Sequence, residues 1–111
     1  WLASIPCDCP WFPRDLVARL HAATAEPGCE LAVARCAGRL QPVFALWSCT
    51  LAQRLRAALE GEGLRKAGQF ALSLHHVTVD WPAATPDPFF NINTPADLAA
   101  AAAMLQEAEL A

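Results

Sequence analysis

Four polar side chains stand where chemistry could be done in this sequence: Asp8, Gln41, Asn91 and Asn93. Asn91 and Asn93 belong to Phe89-Phe90-Asn91-Ile92-Asn93-Thr94-Pro95, where an apolar run meets the start of a helix. Separated by one residue, they project to the same side of an extended backbone, with Ile92 turned toward the core. So placed, the two amides form a paired donor and acceptor edge able to read a ligand. Turn chemistry competes with this role, because Asn tolerates tight turns and can bond its own backbone.

Asp8 follows the apolar run Trp1-Leu2-Ala3-Ser4-Ile5 and sits in Pro6-Cys7-Asp8-Cys9-Pro10. Ligands of open α/β sheets bind outside the carboxyl ends of the strands, so a carboxylate there is a candidate for function. It could hold Mg²⁺, which takes one or two protein carboxylates and completes its shell with phosphates and water. Capping of the turn into the next helix is the alternative role for Asp8. Gln41, at the start of a strand, either contacts a ligand or is an ordinary polar loop residue.

Other chemistry is less well supported. Cys7 and Cys9 have no second cysteine pair or suitably spaced histidine to complete a tetrahedral metal set, so both are expected to be buried structural thiols. His75 and His76 are adjacent and face opposite sides of a strand, one lining the core and one solvated. Arg14, Arg19, Arg54, Arg56, Arg65 and Lys66 read as helix-face charges. Arg65 and Lys66, after Gly61-Glu62-Gly63, are the best placed of these to meet a phosphate. The 111 residues contain no Gly-rich phosphate loop.

The elements that must position these residues alternate between strand and helix. Residues 1–7 read as a short buried strand of the kind found in parallel sheets. Pro13 opens a helix with Leu16, Val17, Leu20 and Ala23 on one face, closed by Pro27-Gly28. Two strands follow, residues 29–35 and 42–47, separated by the turn Ala37-Gly38-Arg39. Ser48 caps a helix carrying Leu51, Leu55, Ala58 and Leu59, and Leu64, Ala67, Ala71 and Leu74 suggest a further short one. Residues 75–81 alternate as a strand, and a Pro-rich loop leads to the asparagines. Thr94, Pro95 and Asp97 mark the start of a last helix, with Leu98, Ala102 and Leu105 as its expected buried stripe.

Composition bounds the function. With 55% hydrophobic residues the chain can bury a core, and 111 residues make one domain or part of one. A net charge of -3 with 8 scattered Lys and Arg lacks the basic footprint of a protein that binds DNA or RNA through phosphates. The apolar runs break before the roughly 18 residues that a membrane-spanning helix needs, and no signal segment leads the chain. A soluble, cytoplasmic protein with no nucleic-acid or membrane partner is expected. Five irregularly spaced cysteines suit reduced thiols. Because Trp1 already lies in a strand-like run, the chain is expected to begin in the middle of a fold.

Taken in order and spacing, Pro6-Cys7-Asp8-Cys9-Pro10, Gln41-Pro42-Val43-Phe44-Ala45-Leu46 and Asp87-Pro88-Phe89-Phe90-Asn91-Ile92-Asn93-Thr94-Pro95-Ala96-Asp97-Leu98 resemble the carboxyl-terminal half of the molybdenum cofactor guanylyltransferases. The resemblance spans nearly the whole chain. It implies an α/β fold, a Rossmann-like nucleotidyltransferase sheet with helices on both faces, of which residues 1–111 form the carboxyl-terminal part and the amino-terminal half is missing. It also implies Mg²⁺-dependent transfer of the guanylyl group of GTP to molybdopterin, releasing pyrophosphate. Carried over by motif, Asp8 is the metal- and nucleotide-contacting aspartate, and Asn91 and Asn93 are active-site amides on the pterin side. Cys9 stands where relatives often carry Thr or another small residue. Without the family's Gly-rich loop the isolated chain is expected to be inactive, and a sheet stripped of its first strands, exposing an edge and apolar faces, is expected to self-associate. Two other functions fit the same residues: a cytidylyltransferase of the same pathway, disfavoured because relatives using CTP tend to carry aspartates at Asn91 and Asn93, and a non-catalytic cofactor-binding or interaction module.

Overall fold

In the computed structural model of the chain, which describes residues 1–61 and 67–110, a four-stranded sheet carries helices on both faces. The strands are β1 (Leu2–Ser4), β2 (Leu31–Cys36), β3 (Arg39–Trp47) and β4 (His76–Trp81), in the spatial order β1-β3-β2-β4. The helices are α1 (Leu16–Ala23), α2 (Ala52–Gly61), α3 (Ala67–Ser73) and α4 (Pro95–Leu110). Leu64, Arg65, Lys66 and most of the loop that precedes them lie outside the described residues. No helix among the described residues is long and apolar enough to cross a membrane.

β2 is the centre of the molecule, and Leu31 to Ala34 are all buried there. Its side chains alternate between two cores. Ala32, Ala34 and Cys36 face Leu16 and Leu20 of α1, together with Phe44, Leu46, Trp81 and Phe89. Leu31 and Val33 face Ala58 of α2 and Phe70, Ala71 and Leu74 around α3. This double burial is why β2 reads as a continuous apolar run rather than an alternating one.

Two sequence expectations about the sheet need correction. The sheet is mixed: β2 and β4 are parallel, but β3 runs antiparallel to both β1 and β2. The cause is the two-residue link Ala37-Gly38, whose φ values of 50° and 76° are those of a tight hairpin with both central residues left-handed. The run at residues 1–7, expected as a buried strand, is a three-residue strand with only Leu2 to Ser4 paired. It lies at the sheet edge, hydrogen-bonded on one side to β3, so Trp1, Leu2 and Ile5 stay exposed.

The helix ends follow the sequence more closely. Ser48 accepts the Thr50 amide at 3.3 Å and opens a 3₁₀ turn that runs into α2. At the start of α4, the Asp97 amide donates to Thr94 Oγ1 at 3.1 Å while Asp97 Oδ2 accepts the Thr94 amide at 3.2 Å, a reciprocal capping box. The stripe expected along this helix is not the buried one: Leu98, Ala102 and Leu105 are exposed, while Ala101 is buried and Ala100 and Met104 are half-buried. A run of five alanines supplies helix propensity but no asymmetry, so the cap at its start fixes the helix and no apolar face is singled out.

Candidate functional site

Because β1, β2 and β4 run in one direction and β3 in the other, the carboxyl ends of β1 and β4 and the amino end of β3 share one edge of the sheet. Asp8 follows β1, Gln41 lies near the start of β3, and Asn91 follows β4. All three come together at that edge, lining a hollow of about 240 Å³ with Pro6, Pro42, Val43 and Phe44. This is the strand-end position at which open α/β sheets bind ligands.

The hollow exists because β3 is irregular. Val33 pairs with Ala45 but the next residue of β2, Ala34, pairs with Gln41, so Pro42, Val43 and Phe44 bulge out of the ladder. Pro42 has no amide hydrogen to donate and is tolerated inside a central strand only at such a break. The bulge is held from both sides. The Ser4 hydroxyl donates to the Val43 carbonyl at 2.6 Å and accepts from Trp47 Nε1 at 2.8 Å, while Phe44 turns inward, edge-on to Phe89 with ring centroids 4.8 Å apart.

The two outer motifs are tied directly. The Ile92 amide donates to the Asp8 carbonyl at 2.8 Å, joining the Asn91-Ile92-Asn93 segment to the loop after β1. Beside it the Cys9 thiol, 3% exposed, donates to Asn91 Oδ1, with Asp8 Oδ1 at 3.8 Å and the Phe89 carbonyl at 4.0 Å as more distant acceptors. Burial pushes the Cys9 thiol up to about 11, and the Asp8 carboxylate beside it adds to the rise, so at neutral pH Cys9 is a protonated donor.

Asn93 is not brought to the hollow with Asn91. Its amide donates to Asp97 Oδ2 at 3.0 Å, which places it in the cap of α4, and it is absent from the lining residues. Asp8, half-buried, does not cap α1: Asp15 precedes that helix, makes no side-chain cap and instead accepts from Trp81 Nε1 at 3.2 Å. Gln41, expected at a strand start, lies within β3 just before the bulge.

The remaining candidates are spread elsewhere. Cys7 is exposed rather than buried, whereas Cys9, two residues on, is buried. No cluster of three or more Cys, His, Asp or Glu that could hold a metal occurs among the described residues. Neither histidine lines the core. His75 precedes β4 and is exposed beside Gly28, and His76 is half-buried with Nδ1 3.0 Å from the Leu74 carbonyl. Arg19 lies over the Trp81 ring at 4.3 Å, and Arg54 pairs with Glu30. Sequence reasoning missed the bulge and the role of Cys9, although Pro42 inside a strand-like run was the signal for the first.

The chain is similar to known proteins in sequence and in fold. Residues 1–79 match the family model described as the MobA-like NTP transferase domain. Over 91% of its length the chain is 48% identical to the molybdenum cofactor guanylyltransferase of Rhodopseudomonas palustris (strain HaA2), covering 47% of that protein. It is 46% identical over 90% of its length to the enzyme of the same name from Bradyrhizobium sp. (strain ORS 278), again covering 47%. The crystal structure of molybdopterin-guanine dinucleotide biosynthesis protein A from Archaeoglobus fulgidus superposes with a TM-score of 0.68 at 25% identity, over 90% of this chain and 53% of that one. The chain thus spans about half the length of the curated relatives it matches. With its sheet order, its strand-end hollow and these similarities together, the chain belongs to the MobA-like NTP transferase family.

Proposed function

We propose that this chain supplies the carboxyl-terminal part of a molybdenum cofactor guanylyltransferase, which transfers the guanylyl group of GTP to molybdopterin and releases pyrophosphate. The observation that carries the reading is the meeting of Asp8, Gln41 and Asn91 at one strand-end hollow, in a chain whose relatives bear that enzyme's name. Activity belongs to the whole protein, and residues 1–111 alone are inactive.

The donor chemistry fits Mg²⁺ shared with a substrate rather than a resident ion. Asp8 offers one half-buried carboxylate, and no group of three or more carboxylates, thiols or imidazoles gathers around it among the described residues, so phosphate oxygens and water would complete the shell. When bound, Mg²⁺ neutralises phosphate charge at the transferring centre and helps align the reactants. Asp8 would hold the ion and, through it, the nucleotide phosphates. Asn91 and Gln41 orient the acceptor in the hollow through amide hydrogen bonds, and Asn93, outside the hollow in the cap of α4, would reach only a part of the pterin substrate that extends beyond it. Attack of a terminal phosphate on the α-phosphorus needs alignment rather than a protein nucleophile.

The test is an assay of the full-length protein with GTP, Mg²⁺ and molybdopterin, following pyrophosphate and the dinucleotide product by mass spectrometry. Product from GTP and not from CTP is expected. Asp8→Ala should lower turnover by roughly 10²-fold or more, the scale of several kcal/mol of lost charge stabilisation, with the melting temperature unchanged. Asn91→Ala and Asn93→Ala should weaken pterin use more than GTP binding. Unchanged turnover in Asp8→Ala, or product from CTP in place of GTP, would overturn the assignment.

A further inference from the structure

The loop that carries Asn91 has no regular backbone structure, and the Asn91 side chain is exposed, so nothing in its own element fixes its rotamer. The fixing contact comes from the other motif. The Cys9 thiol is buried at 3% exposure, its nearest polar partner is Asn91 Oδ1, and its other two acceptors, Asp8 Oδ1 and the Phe89 carbonyl, lie at 3.8 and 4.0 Å. An amide whose oxygen is held in this way has its NH₂ group left for other partners, and no such partner occurs among the described residues.

Resting on the guanylyltransferase reading above, we propose that Cys9 is a positioning residue, whose thiol locks the Asn91 carboxamide so that its NH₂ group meets the pterin substrate in the hollow. Cys9 touches no substrate in this role and forms no covalent bond. It acts through Asn91 alone, while the Ile92 to Asp8 backbone bond holds the two loops at the right separation. A serine hydroxyl at position 9 can still donate, whereas an alanine cannot.

The experiment uses the full-length protein with Cys9→Ala, Cys9→Ser, Asn91→Ala and the double variant Cys9→Ala/Asn91→Ala. Cys9→Ala should raise the KM for molybdopterin about fivefold, the factor for one lost neutral hydrogen bond, with the KM for GTP little changed and the melting temperature lowered modestly by the lost core packing. Cys9→Ser should return the molybdopterin KM to within about twofold of the parent, and Cys9→Ala should add nothing once Asn91 is alanine. A second readout does not depend on activity. The side-chain order parameter of the Asn91 amide, from ¹⁵N relaxation, should fall in Cys9→Ala and recover in Cys9→Ser. An unchanged molybdopterin KM in Cys9→Ala, additive losses in the double variant, or equal order in all three proteins would overturn the proposal. If the amide loosens as expected but no guanylyl transfer occurs even in the parent, the guanylyltransferase reading falls and with it the substrate named here, while the lock itself stands.

Discussion

At the scale of single residues, the cysteines show how strongly position governs thiol chemistry in this chain. Cys7 and Cys9 are two residues apart, yet one is exposed and the other is buried beside the Asp8 carboxylate. Alkylation requires the thiolate, so a thiol held near 11 is almost wholly protonated and unreactive at pH 8. With iodoacetamide, Cys7 and the exposed Cys49 should be modified first, and Cys9 should remain unmodified until the protein unfolds. Peptide mapping over a time course checks this. Labelling of Cys9 as fast as Cys7 would mean that the loop after β1 opens readily, and the buried contact with Asn91 would not persist in solution.

At the scale of elements, the hairpin between β2 and β3 is built with one unfavourable residue. Gly38 adopts its φ of 76° without penalty, but Ala37 at φ 50° carries a Cβ into the left-handed region, which costs about 1–2 kcal/mol. Ala37→Gly should therefore stabilise the chain by up to about 1 kcal/mol, part of the relief being offset by greater freedom of the unfolded chain. Urea titration of the two proteins measures it, and a loss of stability would show that the turn is not under strain. On the neighbouring strand pair, the Arg35 guanidinium donates to Asp80 from Nε at 2.6 Å and Nη2 at 2.9 Å and holds its carboxyl below the ordinary range. A carboxyl depressed on folding stabilises the protein above its unfolded pKa, and that contribution is lost as the pH falls through the folded value. Asp80→Asn should thus lower the melting temperature slightly at pH 7 and flatten its decline toward pH 3. The effect is small because both partners are substantially exposed, and an acid limb as steep as the parent's would remove Asp80 from it. The same hairpin explains what the sequence revealed and what it hid. The turn and both strands could be read from residue types, but the direction of β3 required seeing that two residues cannot make a parallel crossover. The meeting of Asp8, Gln41 and Asn91 could be anticipated only through family motifs, since the bulge that creates their hollow depends on a long-range register shift of which Pro42 is the sole local sign. Alanine-rich α4 could be located but its buried side could not, because its residues carry no pattern from which to choose one.

At the scale of the whole molecule, the described residues extend over 48 × 30 × 21 Å, and the sheet has two edge strands, β1 and β4, of which β1 carries the exposed apolar residues. β1 pairs with β3 on one side only, and around it Trp1, Leu2 and Ile5 are 49%, 62% and 40% exposed. An edge strand usually discourages pairing with charge, proline or a bulge, but Leu2-Ala3-Ser4 has none of these within it. Residues 1–111 expressed alone should therefore associate through this edge, giving species heavier than the 11.9 kDa chain in light scattering at micromolar concentration. Leu2→Lys places a charge on the strand and should shift the population toward monomer without unfolding it, because Leu2 is not part of either core. The full-length protein should not show this association if further strands continue the sheet beyond β1. A monodisperse 11.9 kDa species would show that the edge is self-sufficient, and association unaffected by Leu2→Lys would move the contact to other exposed apolar residues such as Leu98 and Leu105 of α4.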